Sequence, residues 1–208
     1  LYGAPGTGKT TAISTVASHF DCDIYSIPIT KELSDYAMIE AFSGINDKEE
    51  KKHIVVIEDI DSIFNAEERK KGDDNNMLTL NTLLNCLDGH TCREGTLLFL
   101  TANDAQVMDK AMVRSCRIDH KIEFDYADKY QIKNIYDTFL PEQKDNFSEF
   151  YNEIRNKKVT TAMLQEFLFF NRKCDNILEH METLLDIIDK NKPKNLEKRE
   201  DADNNIYT

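Results

Sequence analysis

The sequence lacks a surplus of basic residues. It contains 26 lysines and arginines against 38 aspartates and glutamates, which gives a formal net charge of −12. No long run of lysine or arginine is present, whereas nucleic-acid duplexes and anionic membranes attract clustered positive charge. The composition therefore disfavours a nucleic acid or a membrane surface as the main partner.

Cysteine pairs and long apolar runs are lacking as well. The five cysteines show no C-x-x-C spacing and are odd in number, so neither a disulfide framework nor a zinc site is expected. Reduced thiols indicate a reducing intracellular compartment. No stretch approaches the roughly 18 apolar residues of a membrane span, and no signal peptide is visible. Because the chain opens inside a motif at Leu1, we expect further sequence upstream, which could carry a membrane anchor.

Short apolar segments alternate with helical patterns in the first part of the chain. With 208 residues, 40% of them hydrophobic, the chain can bury a substantial core. The alternation is typical of βαβ units, so residues 1–126 are predicted to form an α/β core with a doubly wound parallel sheet. The predicted strands are residues 23–29, 54–57, 96–101 and 121–124.

The strand patterns stop near residue 126. Four amphipathic patterns follow, at residues 132–139, 147–154, 164–168 and 177–188, so residues 127–189 are predicted to form a small all-helical lid subdomain. Residues 190–208 contain too little apolar surface to order themselves and are predicted to be a disordered tail. Residues 65–77 are predicted to be a solvated stretch for the same reason.

The segment GAPGTGKT, residues 3–10, has the phosphate-loop spacing G-x-x-x-x-G-K-[ST] and opens a helical pattern. Its glycines let backbone N–H groups converge on phosphate oxygens, and the N-terminus of the following helix adds partial positive charge. Lys9 is expected to neutralise the β- and γ-phosphates, and the Thr10 hydroxyl to bind Mg²⁺. The predicted nucleotide-binding residues are Gly3, Ala4, Pro5, Gly6, Thr7, Gly8, Lys9, Thr10 and Thr11.

The segment HIVVIEDID, residues 53–61, runs from an apolar strand into three carboxylates. In phosphate-loop folds, one carboxylate at this strand end completes the shell of Mg²⁺ and a second can orient the attacking water. Glu58 and Asp59 are therefore candidates for both tasks, and Thr10, Glu58 and Asp59 form the predicted metal site. Asp61 is interpreted as the N-cap of the next helix rather than as a ligand.

Six segments of the chain are considered together: YGAPGTGKT, VVIEDIDSIF, LLNCLDGH, LLFLTAND, MDKAMVRSCRIDHKIEF and MLQEFLF. Together they resemble the AAA family of ATPases. Within that family, the chain is similar to the AAA chaperones of the mitochondrial inner membrane that assemble respiratory complex III. The resemblance implies hydrolysis of ATP, with Mg²⁺, coupled to remodelling or translocation of a protein client. It also implies a homo-oligomeric ring of six or seven subunits, a location at that membrane, and ATP held between sheet and lid.

The resemblance assigns roles to residues outside the phosphate loop. Asn103, which ends LLFLTAND, matches the family's sensor-1 residue, whose amide can donate to the γ-phosphate and accept from the lytic water. Arg114 and Arg117 in VRSCRID match arginine fingers that reach the nucleotide of a neighbouring subunit. Ser115 and Cys116 stand where the family has Pro-Gly, so the loop that carries these arginines is expected to be less rigid.

The acidic motif departs from the usual AAA order. The family has aspartate and then glutamate, whereas this chain has Glu58 and then Asp59, a swap that the resembled branch shares. Glu58 falls at the metal position and Asp59 at the water-orienting position, and which of the two orients the water stays open. The swap also keeps open a nucleotide-gated scaffold with little turnover.

Two further patterns are missing. The segment SIPITKELSDYAMIEAFSGI, residues 26–45, lacks an aromatic-hydrophobic-Gly pore loop, as does the resembled branch, so threading of an extended client is not expected. No N-K-x-D tetrapeptide is present to select guanine, which disfavours a GTPase. Another phosphate-loop enzyme, such as a GTPase or a small-molecule kinase, remains the alternative enzyme class.

Overall fold

A computed structural model describes residues 1–30, 33–46, 52–61, 78–87, 96–103 and 118–191. The chain divides into two compact units, Leu1–Asp125 and a second that begins at Tyr126. The predicted arginine fingers Arg114 and Arg117, the stretch at 65–77 and the predicted tail beyond residue 191 lie outside the described residues.

The first unit is built on a parallel sheet whose strands lie in the order β1-β2-β3. In the register, Ile54 pairs with Ile24 on one side and with Leu97 on the other. The elements are α1 (Lys9–Phe20), β1 (Asp23–Ile27), α2 (Asp35–Asn46), β2 (His53–Ile57), α3 (Leu80–Leu87) and β3 (Leu97–Leu100).

The central strand β2 is buried over its whole length. Ile54 and Val56 pack in one apolar cluster with Ile13 and Ala17 of α1. Val55, like Ile57, packs in a second cluster with residues of α2 and α3. Since successive side chains of a strand point to opposite faces, helices cover both sides of the sheet. The predicted doubly wound parallel arrangement is therefore what the described residues show.

The predicted strand at 121–124 is reduced to a single bridge. Tyr2 pairs in parallel with Ala102 on one side and with Glu123 on the other. The ladder cannot extend because the chain leaves Tyr2 at once into the phosphate loop. Strand β1 also ends two residues before the predicted boundary, at Ile27, because Pro28 has no N–H group to continue a ladder.

Helix α2 was not predicted from the sequence. Met38, Phe42 and Ile45 recur at helical spacing and all three are buried in the cluster beside β2. The acidic and small residues between them, together with Gly44, obscure the pattern.

The second unit consists of helices in its described residues. One contiguous apolar cluster fills it, and Tyr136, Phe150 and Phe167 are its largest fully buried side chains. The predicted helix at 177–188 is a 3₁₀ turn followed by an α-helix. No helix within the described ranges is long and apolar enough to cross a membrane. The elements are α4 (Lys129–Phe139), a 3₁₀ turn (Pro141–Asn146), α5 (Phe147–Ile154), α6 (Thr161–Asn171), a second 3₁₀ turn (Ile177–His180) and α7 (Met181–Lys190).

Candidate functional site

The phosphate loop joins Tyr2 to helix α1. Gly3, Gly6 and Gly8 have φ angles of 138°, 79° and 99°, a region that residues with a side chain rarely adopt. At Gly3 space is also limiting, because a Cβ atom built there would lie 2.1 Å from the carbonyl oxygen of Phe124. The loop therefore needs glycine at this position for both conformation and close approach.

Lys9 lies at the start of α1 with its side chain turned back into the loop. Lys9 is only 7% exposed. The Nζ atom donates to the carbonyl oxygens of Gly3 and Ala4, at 2.8 and 3.1 Å, and to Oδ1 of Asn103 at 3.0 Å. The ammonium group is thus fixed between the phosphate loop and the end of β3.

The charge of Lys9 is held by neutral oxygens in these three bonds. Burial lowers the pKa of Lys9 below its ordinary value, and the carboxylates of Asp59, Asp61 and Glu58 oppose that effect because they favour the charged form. A buried ammonium group is costly unless an anion balances it. Phosphate oxygens would supply that balance, so the loop and its lysine fit a phosphate group.

The ends of β2 and β3 bring the other predicted residues together. Thr10 Oγ1 donates to Glu58 Oε1 at 2.5 Å. Asn103 Nδ2 donates to Asp59 Oδ1 at 3.0 Å, while Oδ1 of the same amide accepts from Lys9. Parallel strands end at the same edge of a sheet, which is why residues far apart in sequence meet here. A continuous path of hydrogen bonds therefore runs from Lys9 through Asn103 to Asp59.

Asp59 has an unusual backbone conformation. Its φ angle is +52°, in the left-handed region, and its N–H group donates to Thr101 Oγ1 at 3.0 Å. Aspartate and asparagine tolerate this region better than other side-chain-bearing residues. The conformation gives a physical reason for aspartate at a position where the usual motif of the resembled family has glutamate.

Sequence reasoning missed two residues of this cluster. Asp61, interpreted as a helix cap, accepts the N–H of Asn103 through Oδ1 at 3.2 Å, a bond that the interpretation does not include. Thr101 was not singled out, although a buried polar side chain at the end of the apolar LLFL strand requires a partner. That requirement was the available signal.

The Thr10 and Glu58 oxygen atoms suit Mg²⁺ better than they suit a metal ion whose ligands all come from the protein. Within the described ranges, no group of three or more His, Cys, Asp or Glu side chains could hold a metal ion. Mg²⁺ at phosphate sites takes one or two protein ligands and completes its shell with water and phosphate oxygens. The Thr10 hydroxyl and the Glu58 carboxylate, already in contact, fit that requirement.

The remaining predicted residues lie around this centre. Thr7 is buried, and its hydroxyl donates to the Ala4 carbonyl oxygen at 2.8 Å within the loop. Pro5 and Thr11 are exposed.

Comparison with known proteins decides the family. The model of the family described as "ATPase family associated with various cellular activities (AAA)" matches residues 1–126. The chain belongs to the AAA family. A second model, described as "Mitochondrial chaperone BCS1-like, ATPase lid domain", matches residues 129–181 of this AAA protein.

Several curated relatives of the AAA chain are named as probable mitochondrial BCS1 chaperones. This chain is 32% identical over 178 residues to "Probable mitochondrial chaperone BCS1-A" of Dictyostelium discoideum. The alignment covers 81% of this chain and 41% of the relative. It is also 32% identical over 178 residues to "Probable mitochondrial chaperone bcs1" of Schizosaccharomyces pombe, with coverage of 83% and 38%. The chain thus spans less than half of each relative. The predicted resemblance to mitochondrial AAA chaperones is confirmed.

A solved structure shows the same fold. The "Crystal structure of FIGL-1 AAA domain in complex with ADP" aligns with a TM-score of 0.61 at 20% identity, covering 86% of this chain and 63% of that one. At this identity the likeness shows the AAA fold alone. The predicted fold class, a phosphate-loop α/β core followed by a helical lid, is confirmed by this neighbour together with the two family models.

Proposed function

We propose that this AAA protein binds ATP with Mg²⁺, hydrolyses the nucleotide and uses the reaction to remodel or translocate a protein client. The observation that carries the proposal is the hydrogen-bonded path from Lys9 through Asn103 to Asp59, beside the Thr10–Glu58 contact. The chaperone names of the relatives support a protein client, whose identity those names leave open.

The contacts favour different roles for the two adjacent carboxylates. Glu58 bonds to Thr10 and belongs with the oxygens that would hold Mg²⁺, an ion that would neutralise charge on the β- and γ-phosphates. Asp59 bonds to Asn103 and is the group that would accept a hydrogen bond from the attacking water. The Asn103 amide would present a donor to the γ-phosphate without adding negative charge.

The decisive experiment is single-turnover hydrolysis of ATP by the full-length, assembled protein. We expect Asp59→Asn to retain ATP binding and to slow the chemical step by about 10²- to 10⁴-fold, the usual contribution of a general base. Glu58→Gln should raise the Mg²⁺ concentration required for half-maximal rate. Glu142→Gln, an exposed carboxylate of the second unit, is the control. Wild-type turnover in Asp59→Asn would contradict the proposed role.

The same assay separates the alternatives. A nucleotide-gated scaffold would bind ATP with no turnover in the assembled protein, and another phosphate-loop enzyme class would be indicated by GTP outcompeting ATP.

Arg114 and Arg117 are proposed to act on the nucleotide of a neighbouring subunit in a homo-oligomeric ring. Activity per subunit should then rise with protein concentration and be lost in Arg117→Ala; turnover by a proven monomer would exclude this arrangement.

A mitochondrial location is also proposed. The relatives' names support it. Fractionation of cells that contain the full-length protein tests this location, since recovery in the cytosol would contradict it.

A further inference from the structure

The ends of β2 and β3 are joined by more than the sheet ladder. Two backbone bonds continue the ladder past the strands, from Thr101 N to Ile57 O and from Ile60 N to Thr101 O, both at 3.0 Å. These bonds need no particular side chain. They set the two strand ends side by side, but they leave the N–H groups of Asp59 and Asn103 for other acceptors.

Both of those acceptors are side-chain oxygens from the opposite strand end. The N–H of Asp59 donates to the Thr101 hydroxyl at 3.0 Å, and the N–H of Asn103 donates to the Asp61 carboxylate at 3.2 Å. The pattern is reciprocal, because each strand end supplies one side chain that fixes the backbone of the other. We call these two bonds the strand-end clasp.

The Thr101 bond bears on the direction of the Asp59 carboxylate. Asp59 is exposed, and it has a left-handed backbone that few residues adopt without support. Thr101 is only 2% exposed, so its hydroxyl is a fixed acceptor in a packed environment. If that acceptor is removed, the N–H of Asp59 loses its partner and the left-handed conformation loses its support.

The Asp61 bond bears on the Asn103 amide in the same way. Both ends of that amide are used, since Oδ1 accepts from Lys9 and Nδ2 donates to Asp59. Anchoring the Asn103 backbone limits where the amide can lie, and so limits the distance between Asn103 and Asp59. Reacting groups that move by about 1 Å can lose about 10²-fold in rate.

We infer that Thr101 and Asp61 are positioning residues, which hold the Asp59 carboxylate and the Asn103 amide at a fixed spacing through the strand-end clasp. The inference rests on the proposed ATP hydrolysis and adds two residues that touch no substrate. What matters is the acceptor atom, since both clasp bonds are accepted by a side-chain oxygen. Thr101→Ser and Asp61→Asn each keep such an oxygen atom and should therefore preserve the strand-end clasp.

The test uses two matched pairs of variants in the full-length protein. Thr101→Val keeps the size and burial of the side chain and removes the acceptor, whereas Thr101→Ser keeps the acceptor. Asp61→Ala removes the other acceptor, whereas Asp61→Asn keeps an oxygen at the same position. Each variant is measured for kcat and KM with ATP, and for hydrogen exchange of the Asp59 and Asn103 amides without nucleotide.

We expect Thr101→Val and Asp61→Ala to lower kcat by about 10- to 100-fold with KM within about threefold of wild type, because geometry and not binding is lost. Exchange should accelerate at Asp59 in Thr101→Val and at Asn103 in Asp61→Ala. Thr101→Ser and Asp61→Asn should restore both kcat and protection from exchange.

Three results would overturn the inference. Faster exchange with unchanged kcat would make the clasp purely structural. Unchanged exchange and kcat would show that the bonds do not constrain the site. Equal defects in the paired variants would show that the acceptor atom is not the cause. A wild-type protein with no turnover would instead refute the proposed hydrolysis, together with any positioning role in it, while the exchange data would still report on the clasp.

Discussion

The two compact units use their polar side chains differently. In the first unit, long-range bonds such as Lys9 to Asn103 and Thr10 to Glu58 gather charged and amide groups at one edge of the sheet. In the second unit, polar side chains cap helices or close turns, as Asp128 does at the start of α4 and Thr160 at the start of α6. Polar side chains therefore meet each other at the sheet edge of the first unit, whereas these two capping residues of the second unit accept from backbone N–H groups.

The apolar cores of the two units also differ, in how their buried residues are grouped. Among the residues that the structure describes, the second unit packs one contiguous cluster of 14 buried residues, while those of the first unit form separate clusters of 12 and 4 on opposite faces of the sheet. Sheet edges that gather carboxylates near a buried lysine do not maximise stability. Substitutions in the second unit should therefore report on folding, and substitutions at the sheet edge mainly on nucleotide chemistry.

The largest effect on folding is expected from Phe150→Ala. Phe150 is fully buried and its ring lies 4.9 Å from that of Tyr136 and 6.3 Å from that of Phe167, centroid to centroid. Its truncation should lower the free energy of unfolding by about 3–5 kcal/mol. Phe170→Ala is the control, since Phe170 is 75% exposed and should change stability by less than about 0.5 kcal/mol. Urea denaturation measures both, and equal losses would deny that the second unit depends on its core.

A pair of glycines tests the opposite end of the comparison. Gly3→Ala places a Cβ atom against the Phe124 carbonyl oxygen at a φ of 138°, so we expect a loss of about 2–4 kcal/mol from strain and overlap, together with weaker ATP binding. Gly44 lies in helix α2, and a Cβ atom built there would meet no atom within 4 Å. Gly44→Ala should therefore raise the free energy of unfolding by about 0.5–1 kcal/mol. Thermal unfolding with and without ATP measures both. Two changes of the same sign would show that the conformation of Gly3 is not limiting.

The fold was predictable where one residue pattern has one structural solution. The continuous apolar run of β2 demands burial on both faces, and it gave the parallel sheet with helices on both sides. The segment at 121–124 has a strand-like pattern but only a bridge, because its partner Tyr2 is followed at once by the phosphate loop. Strand length depends on the partner, which a local pattern does not contain.

The site was predictable to the same extent. Lys9 and Glu58 belong to motifs that predict phosphate and metal binding, Asn103 was indicated by the family resemblance, and the structure brings these residues together. The tasks of Thr101 and Asp61 depend on the backbone conformation of Asp59 and on the register between β2 and β3. Neither of these is encoded by residue type at one position.

Helix capping gives a smaller effect in the second unit. Asp128 accepts the N–H of Gln131 at 2.7 Å, and the Gln131 side chain accepts the N–H of Asp128 at 3.1 Å, a capping box that begins α4. Asp128→Ala should cost about 0.5–2 kcal/mol, whereas Asp128→Asn, an equally good cap, should cost a few tenths at most. Chemical denaturation compares them. An asparagine variant as unstable as the alanine variant would mean that charge and not capping is responsible.

The smallest effect at neutral pH is expected from Tyr136→Phe, which removes the bond from the Tyr136 hydroxyl to the Gln143 carbonyl oxygen at 2.9 Å and should cost about 0.5–1.5 kcal/mol. Burial, with smaller contributions from Asp137 and Cys174, raises the pKa of Tyr136 to about 12. The unfolded chain releases this proton near its ordinary pKa of 10, so the stability from neutral Tyr136 is complete below pH 10 and is lost as the pH rises towards 12.

The wild-type advantage over Tyr136→Phe should therefore shrink above pH 10 and then reverse. Urea denaturation of both proteins from pH 7 to pH 11 follows the difference, which cancels the titration of groups that the two chains share. Tyr130→Phe is the matched control, because Tyr130 is 75% exposed and its loss should leave the stability at neutral pH unchanged. A constant difference between wild type and Tyr136→Phe across this range would mean that Tyr136 ionises as readily in the folded unit as in the unfolded chain, and that the core of the second unit admits water where the structure has it closed.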